Sequence, residues 1–224
     1  MKLKISGSAF DLDATLYDFD RLLGPHDYNI ARKKMKDVGM GDWFLNIMDE
    51  LYKTTSFVEI LNTLKEEPYS VDERILKAGY DSYNNLEFGK ISPSPDVIPT
   101  LEKLKDYGIK RALVTTGVAD RQQRKVDMLG VRMLFDKICI VRDFCLEESK
   151  GKCFEEFANE YSIPYDEMMV IGDKCSKEIR EGNELGMITV QIIQGRHAKR
   201  SPRDPREIPD YKIKSISEIL NFIK

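Results

Sequence analysis

The spacing of apolar and polar positions changes character twice along the chain. Ile5 to Phe10 is a short run of small and apolar residues that ends in Asp11-Leu12-Asp13, the pattern of a buried strand running into carboxylates. From about His26 to Asn85 apolar positions recur every three or four residues, as at Phe44, Ile47, Met48 and Leu51, which predicts about four helices and no strand. Ser56-Phe57-Val58-Glu59 and Ser70-Val71-Asp72-Glu73 both match the capping box, in which a hydroxyl and a later carboxylate satisfy the free amides of a helix start. Ile91-Ser92-Pro93-Ser94-Pro95 then punctuates the chain, predicting Ser94 as N-cap and Pro95 as first helical residue.

Beyond it the period alternates. A helix through Leu101 and Leu104 stops at Gly108, followed by a strand at 109–114, a helix at 120–129 closed by Gly130, and a strand at 138–141. A helix at about 150–161, a strand at 168–171, a helix to Leu185 and a strand at 188–193 complete the series. Alternating strands and helices pair in parallel through right-handed crossovers, so the expected fold class is α/β: a doubly wound parallel sheet carrying a small all-helical cap. The expected division is a core of residues 1–17 and 91–224 and an inserted cap of residues 18–90, with no internal repeat or low-complexity tract.

Composition narrows the classes of function. With 224 residues, 42% of them hydrophobic, the chain can bury a real core. Its 35 Lys and Arg nearly balance 38 Asp and Glu, which argues against nucleic acid or an anionic membrane as a partner. No apolar run approaches the ~18 residues of a membrane span, and no apolar signal core follows Lys2 and Lys4, so a cytoplasmic location is expected. Cys139, Cys145, Cys153 and Cys175 form no close pair and read as ordinary thiols rather than a disulfide framework. Two histidines, His26 and His197, are too few for a multi-histidine metal centre.

The candidate chemistry lies where strands end. Asp11 and Asp13 point to one side of a strand, and two converging carboxylates persist where they share a cation or one holds a proton; a plain turn is the competing reading. Ile171-Gly172-Asp173, with Glu178 five residues on, is a second strand ending in an acid. Together these hard oxygen donors suit Mg²⁺, although an Asp there also caps helices. Thr115 and Thr116 could bond an anion or simply form a turn. Lys150 and Lys152 by themselves read as surface lysines, Trp43, Phe44, Tyr17 and Phe19 as core, and the basic run Arg196, Lys199, Arg200, Arg203 and Arg206 as a solvated loop.

In this order and spacing the four signals resemble the haloacid dehalogenase (HAD) superfamily, in the phosphatase branch whose members carry a helical cap after the first motif. The matching residues are Asp11-Leu12-Asp13-Ala14-Thr15, Thr115, Lys150, and Gly172-Asp173 with Glu178. Ala14 stands where the family commonly has Gly, Thr116 where it has Asn or Gly, Glu178 where Asp is usual, and no proline follows the lysine, which leaves Lys152 as an alternative to Lys150. The resemblance implies a Mg²⁺-dependent phosphohydrolase acting on a small phosphorylated metabolite through an aspartyl-phosphate, with a phosphomutase or a catalytically silent binding module as alternatives. It implies Asp11 as nucleophile and Asp13 as general acid and base, its pKa rising as the substrate's charge arrives. Mg²⁺ would be held by Asp11, the Asp13 carbonyl and Asp173, the phosphoryl oxygens by Thr115, Thr116 and Lys150, and Glu178 would support the site from behind.

Overall fold

The computed structural model describes residues 2–85, 87–145 and 147–223, apart from the Lys199 side chain. Two compact units emerge, Met1–Asp18 with Ile91–Lys224, and Phe19–Lys90. In chain order the elements are β1 (Gly7–Phe10), then α1 (Phe19–Leu22), α2 (Gly24–Asp37), α3 (Asp42–Tyr52), α4 (Phe57–Lys65) and α5 (Glu73–Tyr83) of the second unit. The first unit resumes with α6 (Val97–Asp106), β2 (Lys110–Thr116), α7 (Ala119–Leu129), β3 (Lys137–Val141), α8 (Lys150–Glu160), β4 (Met168–Gly172), α9 (Arg180–Glu184), β5 (Ile188–Ile192) and β6 (Tyr211–Ile213).

The six strands form one parallel sheet in the order β3-β2-β1-β4-β5-β6. Phe10 of β1 stands opposite Leu113 of β2 on one side and Ile171 of β4 on the other. The chain therefore winds outward from β1 to β3, then crosses back to β4 and winds the other way. That reversal opens a crevice at the carboxyl ends of β1 and β4, where open α/β sheets bind ligands. One face of the sheet is packed by Phe154, Phe157 and Ala158 of α8 against Ala9, Ala112, Val114 and Val170. The second unit has its own core, including Tyr28, Met35, Leu45, Met48, Phe57, Ile60 and Leu64.

The fold class is the expected one, and several local readings need correction. The capping box at Ser56 and Glu59 forms in both directions. The one proposed at Ser70 does not: Asp72 is the N-cap and accepts from the Arg74 amide at 2.8 Å, because Ser70 sits in the left-handed region at φ +44°. Likewise α6 begins at Val97, with Asp96 rather than Ser94 as N-cap, since residues 95–96 form a turn first. The helix expected to end at Leu185 opens with one π-turn at Cys175–Ile179, and β6 went unforeseen because three residues carry too little periodicity. Cys139 and Cys153 form a disulfide, Cα to Cα 6.3 Å; packing of α8 on β3 brings together thiols 14 residues apart. In the basic run Arg206 pairs with Asp204 and Glu184, so its charge is locally met. Among the described residues no helix is long and apolar enough to cross a membrane.

Candidate active site

The site begins where β1 stops. The Asp11 amide donates to the Ile171 carbonyl at 2.9 Å, so this residue is still tied to β4. The chain then turns sharply, with the Leu16 amide bonding back to the Leu12 carbonyl at 3.0 Å and Ala14 at φ +56°. The left-handed backbone costs an L-residue on the order of 1–2 kcal/mol, the physical reason a glycine suits this position. The turn leaves the Thr15 hydroxyl donating to Asp11 Oδ2 at 3.4 Å.

Lys150, the first residue of α8, is buried and places Nζ 2.5 Å from Asp11 Oδ1 while also donating to Glu178 Oε1. Ser149 fixes the start of that helix by accepting from the Lys152 amide at 3.1 Å. Lys152 itself is turned away, its Nζ donating to the Glu147 carbonyl. Glu178 folds back over Gly172, where a Cβ would stand 2.5 Å from Glu178 Cγ; the glycine is thus required for the carboxylate to reach Lys150. Its second oxygen accepts from the Lys174 amide at 3.2 Å. Asp173 is buried, and its Oδ2 has no hydrogen-bond partner among the described residues.

These charges perturb one another. Burial, helped by Glu178, pushes the Asp11 carboxyl up to about 6 despite Lys150. Burial, with the charges of Asp11 and Glu178, drives Asp173 well above the usual carboxylate range. Burial acts upward on Glu178 as well, but Lys150 outweighs it and holds that carboxyl below its ordinary value. For Lys150 burial opposes the charged form, and the two flanking carboxylates overcome it and raise the ammonium.

Asp13 has a different setting. Lys125 Nζ lies 2.8 and 3.0 Å from its two oxygens, the Tyr17 hydroxyl donates to Oδ1, and Gln122 Nε2 approaches Oδ2 at 3.5 Å. Against burial, Lys125 first and then Tyr17 and Gln122 hold its carboxyl below the usual range. Gln122 also donates to Thr115 Oγ1 at 3.0 Å and to the Thr116 carbonyl at 2.6 Å. The fold thus gathers Asp11, Asp173, Lys150 and Glu178 in one electrostatic cluster, and links Asp13 to Thr115 and Thr116 through α7. Lys125 and Gln122 escaped the sequence reading. Their available signal was position: they fall with Val126 and Leu129 on the inward face of α7, where an unneeded polar residue is costly.

Among the described residues no group of three or more histidine, cysteine and acidic side chains is disposed to hold a metal ion. The two buried carboxylates of Asp11 and Asp173 nevertheless suit a hard cation that keeps several waters. The buried Asp173 oxygen, without a hydrogen-bond partner among the described residues, and the upward push on both aspartates describe a site that a cation would relieve.

Comparison with known proteins agrees with this arrangement. Residues 9–192 match the family of haloacid dehalogenase-like hydrolases, and the chain belongs to that family, in its phosphatase branch. It is 30% identical to a glyceraldehyde 3-phosphate phosphatase of Methanocaldococcus jannaschii and 28% identical to one of Methanopyrus kandleri, each alignment covering 98% of this chain and 97% of the relative. Among solved structures it resembles YfnB of Bacillus subtilis, a protein assigned as a HAD-hydrolase and crystallised with magnesium. The TM-score is 0.63 and the identity 18%, over 99% of both chains.

Proposed function

We propose that the protein hydrolyses a small phosphate monoester through a phosphoryl group carried on Asp11, with Mg²⁺ bound, and that its substrate is a triose phosphate, glyceraldehyde 3-phosphate first. The observation that carries the mechanism is the buried Asp11 carboxylate set against Lys150, near a buried Asp173 oxygen that has no hydrogen-bond partner among the described residues. The substrate reading rests on the two full-length relatives named for that activity.

An anionic nucleophile approaching a phosphate dianion is repelled by on the order of 1 kcal/mol per pair of unit charges at ~4 Å in water, and by more in a dry site. Lys150 answers part of that repulsion. Asp11, the Asp13 carbonyl and Asp173 would hold Mg²⁺, which when bound supplies further neutralisation of the phosphoryl oxygens. An Asp11 oxygen attacks phosphorus while the ester oxygen leaves with a proton from Asp13; Asp13 then takes a proton from the water that cleaves the acyl phosphate, restoring both groups. Thr115, Thr116 and Lys150 hold the phosphoryl oxygens. In the free protein Asp13 is kept ionised chiefly by Lys125, so the incoming phosphate charge must raise its proton affinity before it can act as an acid.

The test is phosphate release from a panel of monoesters, glyceraldehyde 3-phosphate included, with and without Mg²⁺. Mg²⁺-dependent release that disappears in Asp11→Asn is expected. Retained turnover in Asp11→Asn removes the nucleophile assignment, and faster hydrolysis of phosphoglycolate, sugar phosphates or nucleotides than of the triose phosphate removes the substrate assignment. Phosphoryl transfer to a second sugar position, without release, would mark a mutase.

A further inference from the structure

Gln122 is almost fully buried, and its Nε2 faces two groups that can only accept, the Thr116 carbonyl at 2.6 Å and, more distantly, Asp13 Oδ2 at 3.5 Å, together with the Thr115 hydroxyl oxygen at 3.0 Å. The carbonyl and the carboxylate fix the amide's orientation, because the turned-over amide would aim its oxygen at two oxygens that carry no proton. The same amide leaves Oε1 without a partner among the described residues, and an unsatisfied buried oxygen costs free energy that nothing in simple packing recovers. The backbone is shaped to admit it. At Gly117, with φ +146°, a Cβ would stand 2.9 Å from Gln122 Nε2, so any side chain there would press on the amide. Three consecutive residues, 115 to 117, thus meet one side chain from α7, and one turn on Lys125 clamps both oxygens of Asp13.

A hydroxyl has one proton and rotates to suit its neighbours. Because Thr115 Oγ1 accepts from Gln122, its own proton points elsewhere and is left to be donated to another acceptor. A phosphoryl group offers only acceptors. Without the amide, the oxygens that Gln122 now occupies, the Asp13 carboxylate among them, become competitors for that proton.

We propose that Gln122 is a positioning residue of the phosphoryl site: by donating to Thr115 Oγ1 and the Thr116 carbonyl it commits the Thr115 hydroxyl to donate to the substrate's phosphoryl oxygen, while Lys125 fixes the orientation of Asp13 beside it. The inference rests on the phosphatase mechanism proposed above and adds a residue to it. The role is exerted through Thr115, so it predicts coupling between the two side chains rather than a separate contribution.

The test compares Mg²⁺-dependent phosphate release by the full chain as wild type, Gln122→Met, Thr115→Val and the double variant. Methionine keeps the length and removes both donor protons. Gln122→Met is expected to lower kcat/KM by about 100-fold, the scale of a 1 Å misplacement of a reacting group. On the Thr115→Val background the same change should cost no more than about twofold, the spread of additive effects. Gln122→Glu keeps the shape and replaces donors by acceptors, and should be impaired at least as much. A wild-type rate in Gln122→Met, or an equal loss in both backgrounds, overturns the proposal. A fall in thermal stability with additive kinetics does so too, as it marks packing alone. The mechanism beneath it fails separately, through absence of phosphate release in wild type or retained release in Asp11→Asn.

Discussion

Replacing the candidate nucleophile Asp11 by Asn should make the metal-free protein more stable. The Asp11 carboxyl is raised from an ordinary value of 3.8 to about 6 by burial, with Lys150 only partly offsetting it. A buried acid with a raised native pKa binds more protons folded than unfolded between those two values. Its ionisation therefore lowers stability progressively as pH rises from about 4 to about 6, and the loss persists above. At roughly 1.4 kcal/mol per pH unit, the gap amounts to on the order of 3 kcal/mol. Asparagine has nearly the same shape and no charge to bury, and Lys150 keeps Glu178 as its partner. At ~2–4 °C per kcal/mol for a chain of this size, Asp11→Asn should melt about 6–12 °C above wild type at pH 7.5 in EDTA. The difference should shrink to almost nothing near pH 4, and Mg²⁺ should narrow it at pH 7.5 by stabilising the wild type selectively. Calorimetry or urea unfolding across pH 4–8 reads all three. A variant less stable than wild type at pH 7.5, or a difference that does not change with pH, refutes the idea that charge burial at Asp11 is held against a folding cost.

Three further outcomes follow from the same geometry. Lys150→Met strands two carboxylates in the interior and should cost about 3–5 kcal/mol and nearly all phosphate release, whereas Lys152→Met, whose exposed side chain donates to the Glu147 carbonyl, should stay within ~0.5 kcal/mol of wild type in thermal unfolding. Gly172→Ala puts a methyl 2.5 Å from Glu178 Cγ, so Glu178 must leave Lys150, and unfolding titrations should show a loss of about 1–3 kcal/mol with reduced turnover. Thiol titration of the denatured, unreduced protein should find two free cysteines, Cys145 and Cys175; four would show that Cys139 and Cys153 are not joined.

Much of this molecule was legible one residue at a time. The inner strands β1, β2, β4 and β5 announced themselves because a strand buried on both faces is a short apolar run, and Asp11 and Asp173 stood out because each follows such a strand directly. The helix stop at Gly130 was readable because only a residue without a Cβ takes the left-handed turn easily, and its φ is +68°. What failed was short or competitive: β6 has three residues, and at Ser70 the next acid, Asp72, captured the cap instead.

Tertiary structure decided which of these residues meet. The sequence put acids at the ends of two strands; parallel pairing of β1 with β4 at the sheet's reversal made them neighbours. Lys150 and Lys152 are alike as letters, and the direction in which α8 leaves its cap sends one to the carboxylates and the other to solvent. Lys125 of α7 meets Asp13 112 residues away in the chain, and the bonds of Gln122 to β2 and the disulfide between β3 and α8 likewise arise only where separate elements pack together. The physical reason is that period and composition record how each segment solves its own solvation, whereas charge pairing depends on distances that only packing sets.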